Sequence, residues 1–297
     1  MTDVRILERL PTVTLFGTRL FDPLSGEVLA GGFDVTLRQD HGARLGPVQR
    51  AFVTGSRVYA FQRLPGLRGF EHADPDTLAQ SPLPRVPYIL EIRDPEARFL
   101  PVALRLFLPL PYRGLFPLGE AEPAGSLGGD RRFQLYSAPS RAIATWQGRV
   151  TGELTQADGT PAAHAAIEVD FGNGLIHQGL ADAQGRFALP FAYPPVPQSA
   201  GASPPAPEAL ADVAWPFSVR VHYDPAQHDR IDGTGLPDHI SLLDQFAGPA
   251  STVFALAPAD GGVPVPFLPG VLRRGQDSIA RTAGLSSLVV QPATGSP

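Results

Sequence analysis

The chain has 297 residues, no cysteine and a net charge of −5. These exclude disulfides and thiolate metal sites, and they offer no basic face of the kind nucleic-acid partners need. With 33 prolines and 31 glycines, and 43% apolar residues, the composition points to short strands joined by long turns, because proline suits turns and sheet edges better than helices or central strands.

Length alone suggests two domains. Residues 1–11 read as a short arm. The opening MTDVRILERLPTVTLF is charged and carries no apolar leader core, so the expectation is synthesis in the cytoplasm. Strand-like sequence begins at Val13 and Leu15, and Asp22-Pro23-Leu24-Ser25-Gly26 reads as a turn. Phe33, Val35 and Leu37 alternate, and residues 48–64 are rich in Val, Phe and Tyr, enough for two strands. Residues 63–71, RLPGLRGFE, form a loop with apolar content. Residues 72–87 read as an irregular excursion, and Ile89 to Ile92 as a strand. Val102, Leu104, Leu106 and Leu108 share one strand face. The stretch 113–130 is a Gly/Pro-rich connection, and Phe133 to Ala138 a further strand.

Residues 148–191 hold four alternating runs. Val150, Gly152 and Leu154 fall in phase at a spacing of two. So do Ile167, Val169 and Phe171, then Ile176, Gln178 and Leu180, then Phe187, Leu189 and Phe191. That spacing puts each set on one face of a strand. Asp158-Gly159, Asn173-Gly174 and Asp182 to Gly185 supply the turns, and Asn-Gly marks a tight hairpin. Residues 193–209 are a Pro/Ala/Ser-rich loop. Phe217, Val219, Val221 and Tyr223 resume a buried face, residues 224–238 are a polar loop, and Ile240 to Phe246 fit one or two helical turns. Residues 258–297 read as an extended Pro/Gly-rich tail that needs something to lie on, with a late strand at Leu288 to Val290. The string Asp94 to Pro101 echoes Asp182 to Pro190 with one gap, which suggests two related sandwiches in tandem.

Candidate sites are few. His222, Asp224, His228, Asp229, Asp232, Asp238 and His239 are metal-ligand types, but their spacing matches no ligand motif, so a solvated loop is the better reading and no metal is expected. His164 and His177 lie on adjacent predicted strands, where cross-strand pairing could bring them together. No G-x-S-x-G elbow occurs, and no helix follows Gly172-Asn173-Gly174 to make a phosphate loop. The expectation is a non-catalytic protein with no cofactor. Phe61, Leu64, Leu67 and Phe70 surround Pro65-Gly66. Such a group either folds back on the core or docks a partner, so these four are the candidate interface residues.

The 148–191 stretch resembles the carboxypeptidase regulatory-like domain, a transthyretin-like β-sandwich. The likeness is carried by Gly148, Val150, Gly152, Gly159, Pro161, Ala165, Ile167, Val169, Asp182, Gly185, Arg186, Phe187 and Leu189. It implies an accessory, adhesive or structural module without catalytic residues. More loosely, RLPGLRGFE, then RFLP with LPLP, then LYSAPSRA, resemble accessory proteins of phage-tail-like contractile injection systems. That resemblance implies a cap, adaptor or baseplate-associated subunit.

The expected fold is therefore all-β: two tandem transthyretin-like or immunoglobulin-like sandwiches, residues 1–138 and 139–257, with a tail over 258–297. The expected role is assembly with other protein subunits, as a homo-oligomeric ring or a hetero-assembly, associated with a particle. The alternative is a carbohydrate- or cell-surface-binding module. Neither a nucleic-acid partner nor a membrane span is expected.

Overall fold

The computed structural model describes residues 14–42, 44–71, 85–110, 115–116, 133–172, 174–195 and 213–292. The arm at 1–11, most of the 72–87 excursion and the 113–130 connection, most of the 193–209 loop, and Asn173 lie outside these. The regular secondary structure of the described residues is almost entirely β-strand, with one short α-helix and a few 3₁₀ turns, as the proline, glycine and alternation pattern requires. Two compact units divide the chain. The first takes residues 1–95, 102–135 and 231–235, and the second takes 96–101, 136–230 and 236–297.

The first unit contains β1 (Phe16–Thr18), β2 (Leu20–Asp22), β3 (Glu27–Leu29), β4 (Asp34–Gln39), β5 (Gln49–Arg50), β6 (Phe52–Val53), β7 (Tyr59–Phe61), β8 (Val86–Arg93), β9 (Val102–Leu108) and β10 (Phe133–Gln134). They form sheets ordered β1-β7-β6, β10-β2-β3 and β5-β4-β8-β9. Register rows Val35–Ile92–Val102 and Leu37–Leu90–Leu104 put every second side chain of three strands into the interior. The expected face of Val102, Leu104, Leu106 and Leu108 is buried throughout. The short run from β5 to β6 addresses two sheets. The Ala51 amide donates to Val35 of β4, whereas Phe52 pairs with Ala60 of β7. On the outer face, Glu91 is buried yet carries Arg38 and Arg93 as ion-pair partners, which is how a buried carboxylate is tolerated.

The second unit is a two-sheet sandwich. Its strands are β11 (Gln147–Thr155), β12 (Ala166–Asp170), β13 (Ile176–Leu180), β14 (Arg186–Ala192), β15 (Ala214–His222), β18 (Thr252–Phe254), β19 (Pro264–Val265), β20 (Leu268–Arg273), β21 (Ser278–Ala280) and β22 (Leu288–Gln291). Between β15 and β18 come the hairpin of β16 (Arg230–Ile231) and β17 (Leu236–Pro237) and the helix α1 (His239–Asp244). One sheet runs β14-β11-β22-β18-β19, with β21 also beside β11. The other runs β13-β12-β15-β20. Val150, Leu154, Ile167, Val169, Phe187, Leu189, Val219, Val221, Leu272 and Leu288 fill the space between them. Each such fully buried side chain contributes about 1.5–3 kcal/mol before conformational entropy is charged against it.

Three expectations need correction. The 258–297 stretch is not an extended tail where it is described, because residues 264–291 supply β19, β20, β21 and β22 to the sandwich. The glycine that obscured the pattern is what lets β20 in. A Cβ at Gly270 would stand 2.4 Å from the Phe217 ring, so only glycine fits the register in which the two residues face each other. The second correction concerns β13. Ile176 and Gln178 point outward and are exposed, and His177 and Gly179 point inward opposite Val169 and Ile167. The Phe171 amide bonds Leu175, so the hairpin loop spans residues 172–174, with Gly172 and Gly174 both at positive φ. One residue more than the two-residue Asn-Gly turn flips the whole strand. Third, the Asp94/Asp182 echo extends only to the turn. Ala97 and Gly185 both adopt positive φ, of 52° and 76°. But β8 and β9 pair in one sheet, whereas β13 and β14 belong to opposite sheets.

Candidate interaction surface

Phe61, Leu64 and Leu67 lie in the interior of the first unit, each 1% exposed or less, and Phe70 is half-buried. The Pro65-Gly66 loop folds back so that the Tyr88 hydroxyl donates to the Pro65 carbonyl, and Phe61 packs on Phe16 with ring centroids 5.8 Å apart. Of the two roles open to this group, these are the contacts of the core.

The candidate metal loop disperses. Asp224 caps a 3₁₀ turn by accepting from the Ala226 amide, and Asp238 caps α1 by accepting from the Ile240 amide. His222 faces Glu168 at 3.4 Å, His228 packs edge-on against Tyr223 and His164, and His239 packs on Tyr136. Among the described residues no three His, Asp or Glu side chains converge as metal ligands. His164 and His177 do not pair either. His164 sits in the turn before β12 at φ 61°, while His177 is opposite Val169 and stacks on Phe191 at 5.0 Å. Burial lowers the pKa of both, that of His164 to about 4 with the neighbouring His228 adding to the effect.

A cavity of about 400 Å³ lies at one end of the sandwich, lined by Gln156, Asp158, Phe254, Pro258, Val290 and Gln291, among others. Two of its polar side chains are occupied locally. The Asp158 carboxylate accepts from the Thr160 amide and hydroxyl, which hold its pKa down, and Gln156 donates to Thr160 and Tyr223. The lining pairs no nucleophile with a base. The exposed aromatic residues Phe52, Phe107, Trp146 and Phe267 fall on separate elements. Trp215 is buried, stacked on Tyr193 at 5.2 Å. No sheet face in the described residues gathers them into a stacking platform.

What distinguishes one surface of the second unit is its sheet edges. The two sheets end in β14, β19, β13 and β20. Three of these carry proline: Pro190, Pro264 and Pro269. Proline blunts an edge by removing a donor. In β14 it stands where that matters. Leu154 donates to Gly185, so Arg186, Ala188 and Pro190 turn their backbone groups away from β11. The strand β21, bonded on one side only by β11, lacks proline but is three residues long, and very short edges are themselves poor templates. Only β13 is both longer and free of proline. The Ala181 amide bonds Ala165, which makes His177 and Gly179 the residues that bond β12 and turns the N–H and C=O of Ile176, Gln178 and Leu180 away from it. Ile176 is 45% exposed and Gln178 is exposed, whereas Leu180 is covered by Tyr136 and Leu242. The accessible edge is therefore Ile176 to Gln178. Sequence reading missed it because the phase of β13 depends on a loop length that alternation does not report.

No helix in the described residues is long and apolar enough to cross a membrane. No family model matches the sequence, and no curated protein does. Among solved structures, two crystal structures of the C-terminal fragment of the pilus adhesin SpaC from Lactobacillus rhamnosus GG, one iodide-soaked, align over 95% of this chain and 100% and 99% of theirs. Their identities are 10% and 11%, at a TM-score of 0.20, a likeness too slight to inform fold or role.

Proposed function

We propose that the chain is a non-catalytic structural subunit that joins other protein subunits by strand addition at β13. The observation that carries this is the contrast among the edge strands: β14, β19 and β20 hold proline and β21 is three residues long, whereas β13 presents an unblocked five-residue strand open at Ile176 and Gln178. An added strand would take up those backbone donors and acceptors and set its side chains beside Ile176 and Gln178. The kind of assembly is suggested by the strings at residues 63–71, 98–101, 108–111 and 135–142, which resemble accessory proteins of phage-tail-like contractile injection particles. In that setting the chain would be a cap, adaptor or baseplate-associated component. Support from the C-terminal stretch has gone, because residues 264–291 pair within their own unit.

The test is sedimentation of a tagged chain from cells that make it together with its gene neighbours. The wild-type chain should co-sediment with sheath and tube subunits. Gln178→Pro removes a donor that faces away from β12, and Ile176→Lys adds an edge charge. Each should release the chain to the supernatant while it remains folded by circular dichroism. A wild-type chain found wholly free of other proteins overturns the proposal, and so does unchanged co-sedimentation of both variants.

A further inference from the structure

We infer that residues 238–247 form an acid-released cap, lifted from the outer face of the β13-β12-β15 sheet when the histidines that anchor it become charged. The cap consists of α1 and the 3₁₀ turn Gln245–Ala247 that follows it. Beneath it, Ala166 pairs in register with both Leu180 and His222. Ala166, Leu180, Leu242 and Tyr136 make a small second core, edged by Leu100, Leu243 and Phe246. This layer is separate from the main sandwich core and much smaller.

Histidines stand at both attachments of the cap. His239, the first residue of α1, is 3% exposed and packs on Tyr136 with ring centroids 5.9 Å apart. Tyr136 is itself buried and held neutral, its pKa raised to about 12, so it offers no counter-charge. Burial alone pushes the imidazole of His239 down to about 4. At the other attachment Gln245, also buried, donates to the backbone carbonyl of His164 at 3.0 Å and accepts from the Asp224 amide. The His164 ring meets His228 edge-on at 6.4 Å, and His228 meets Tyr223 at 6.0 Å, with its Nε2 buried and without a hydrogen-bond partner. The residue after His228 is tied to the cap, since the Asp229 amide donates to Ser241 and the Asp229 carbonyl accepts from Asp238.

The charges facing His164 are His228 and Arg230, which oppose a proton, and Asp182, which favours one. Asp182 is already committed to the Gln184 amide and to the amide and guanidinium of Arg186. His222 also lies under the cap, its ring 6.0 Å from that of Phe246 and its Nε2 3.4 Å from the Glu168 carboxylate.

The direction follows from linkage. With the cap down, His164 and His239 titrate near 4. With it lifted His239 returns toward the free value of about 6.5, whereas the His164 ring, which meets His228 and not the cap itself, is relieved only as far as the tied Asp229 segment moves with it. The lifted state therefore binds more protons, so the cap is secure above about pH 6.5 and is lost as pH falls toward 4. At pH 5 His239 by itself multiplies the lifted-to-closed ratio by about 30. Lifting would also bare Leu180 and lengthen the open edge of β13; only this consequence rests on the strand-addition reading.

Hydrogen exchange by mass spectrometry on the full chain tests the cap without any partner. Peptides covering 238–247 should lose protection at least about 30-fold between pH 7.5 and pH 5, corrected for intrinsic exchange, while β11 and β14 keep theirs. The pair His239→Phe and His164→Asn, the latter because asparagine tolerates positive φ, should abolish that pH dependence. Unchanged protection at pH 5 would refute the cap, as would an equal loss in the double variant or a loss shared with β11 and β14. Should the double variant fail to fold, an NMR titration of the wild-type imidazoles decides: midpoints for His164 and His239 well below 6 support the cap, and midpoints at or above 6.5 refute it.

Discussion

Gly185 closes the turn between β13 and β14 at φ 76°, its amide donating to Asp182 and its carbonyl accepting from Leu154. A Cβ there would stand 2.4 Å from the Leu154 carbonyl oxygen, so both the backbone angle and the space exclude a side chain. Gly159 has φ 85°, but a Cβ on it would meet nothing within 4 Å. The two positions separate conformational strain from collision. Gly159→Ala should cost about 1 kcal/mol and Gly185→Ala about 3 kcal/mol, read from urea midpoints at constant m. Equal costs would mean that the Leu154 strand gives way. Asp182 shows how such a residue is legible in a sequence. Its carboxylate accepts from the Gln184 and Arg186 amides, an arrangement that Asp three positions before Gly already implies. The roles of His239 and His164 were not legible, because whether a histidine is surface or core depends on what packs above it, and that packing is tertiary.

Among the elements, β13 shows both the reach and the limit of alternation. That a strand runs over Ile176–Leu180, antiparallel to β12, follows from the pattern alone. Which face is buried does not, since it turns on whether the hairpin loop holds two residues or three. The structure's phase makes a sharp contrast. Ile176→Lys should change stability by less than about 0.5 kcal/mol. Gly179→Val should destabilise by about 1–3 kcal/mol, because even a Cβ at Gly179 comes within 2.3 Å of the Leu189 side chain. Measured by thermal and urea unfolding, the reverse order would restore the two-residue loop. For β20 the obstacle was composition, whereas β22 matches the late strand expected at Leu288 to Val290. Gly270 and Pro269 interrupt the apolar alternation, and the partners that make sense of them, Phe217 and Ser218, lie far back in the chain.

At the scale of the whole molecule, the all-β character and the pairing of β12 with β13 could be read from turns and periodicity, whereas the pairing of β11 with β14, across two intervening strands, could not. Nor could the division of the chain. The first unit takes in residues 231–235 and the second takes in 96–101, and no local pattern marks such exchanges. Dependence on the C-terminal stretch has a direct test. A chain ending at Gln276 lacks β21 and β22, so β11 keeps only β14 as a neighbour and the interior loses Ala280, Leu288 and Val290. Such a chain should be cut within residues 147–192 by trypsin under conditions in which the full chain resists. Resistance in the shortened chain would show that the sandwich closes without those strands.

Vectorial synthesis gives this arrangement a further meaning. Val150 to Gly152 bond β21, and Leu154 and Thr155 bond β22. That side of β11 therefore emerges from the ribosome long before its neighbours exist. At about 5–20 residues per second, translation from Thr155 to Leu288 takes on the order of ten seconds, during which that row of backbone donors and acceptors stands unpaired. A chaperone that reads nascent β-structure would have its longest opportunity there, and slow codons between 155 and 288 should lower the soluble yield.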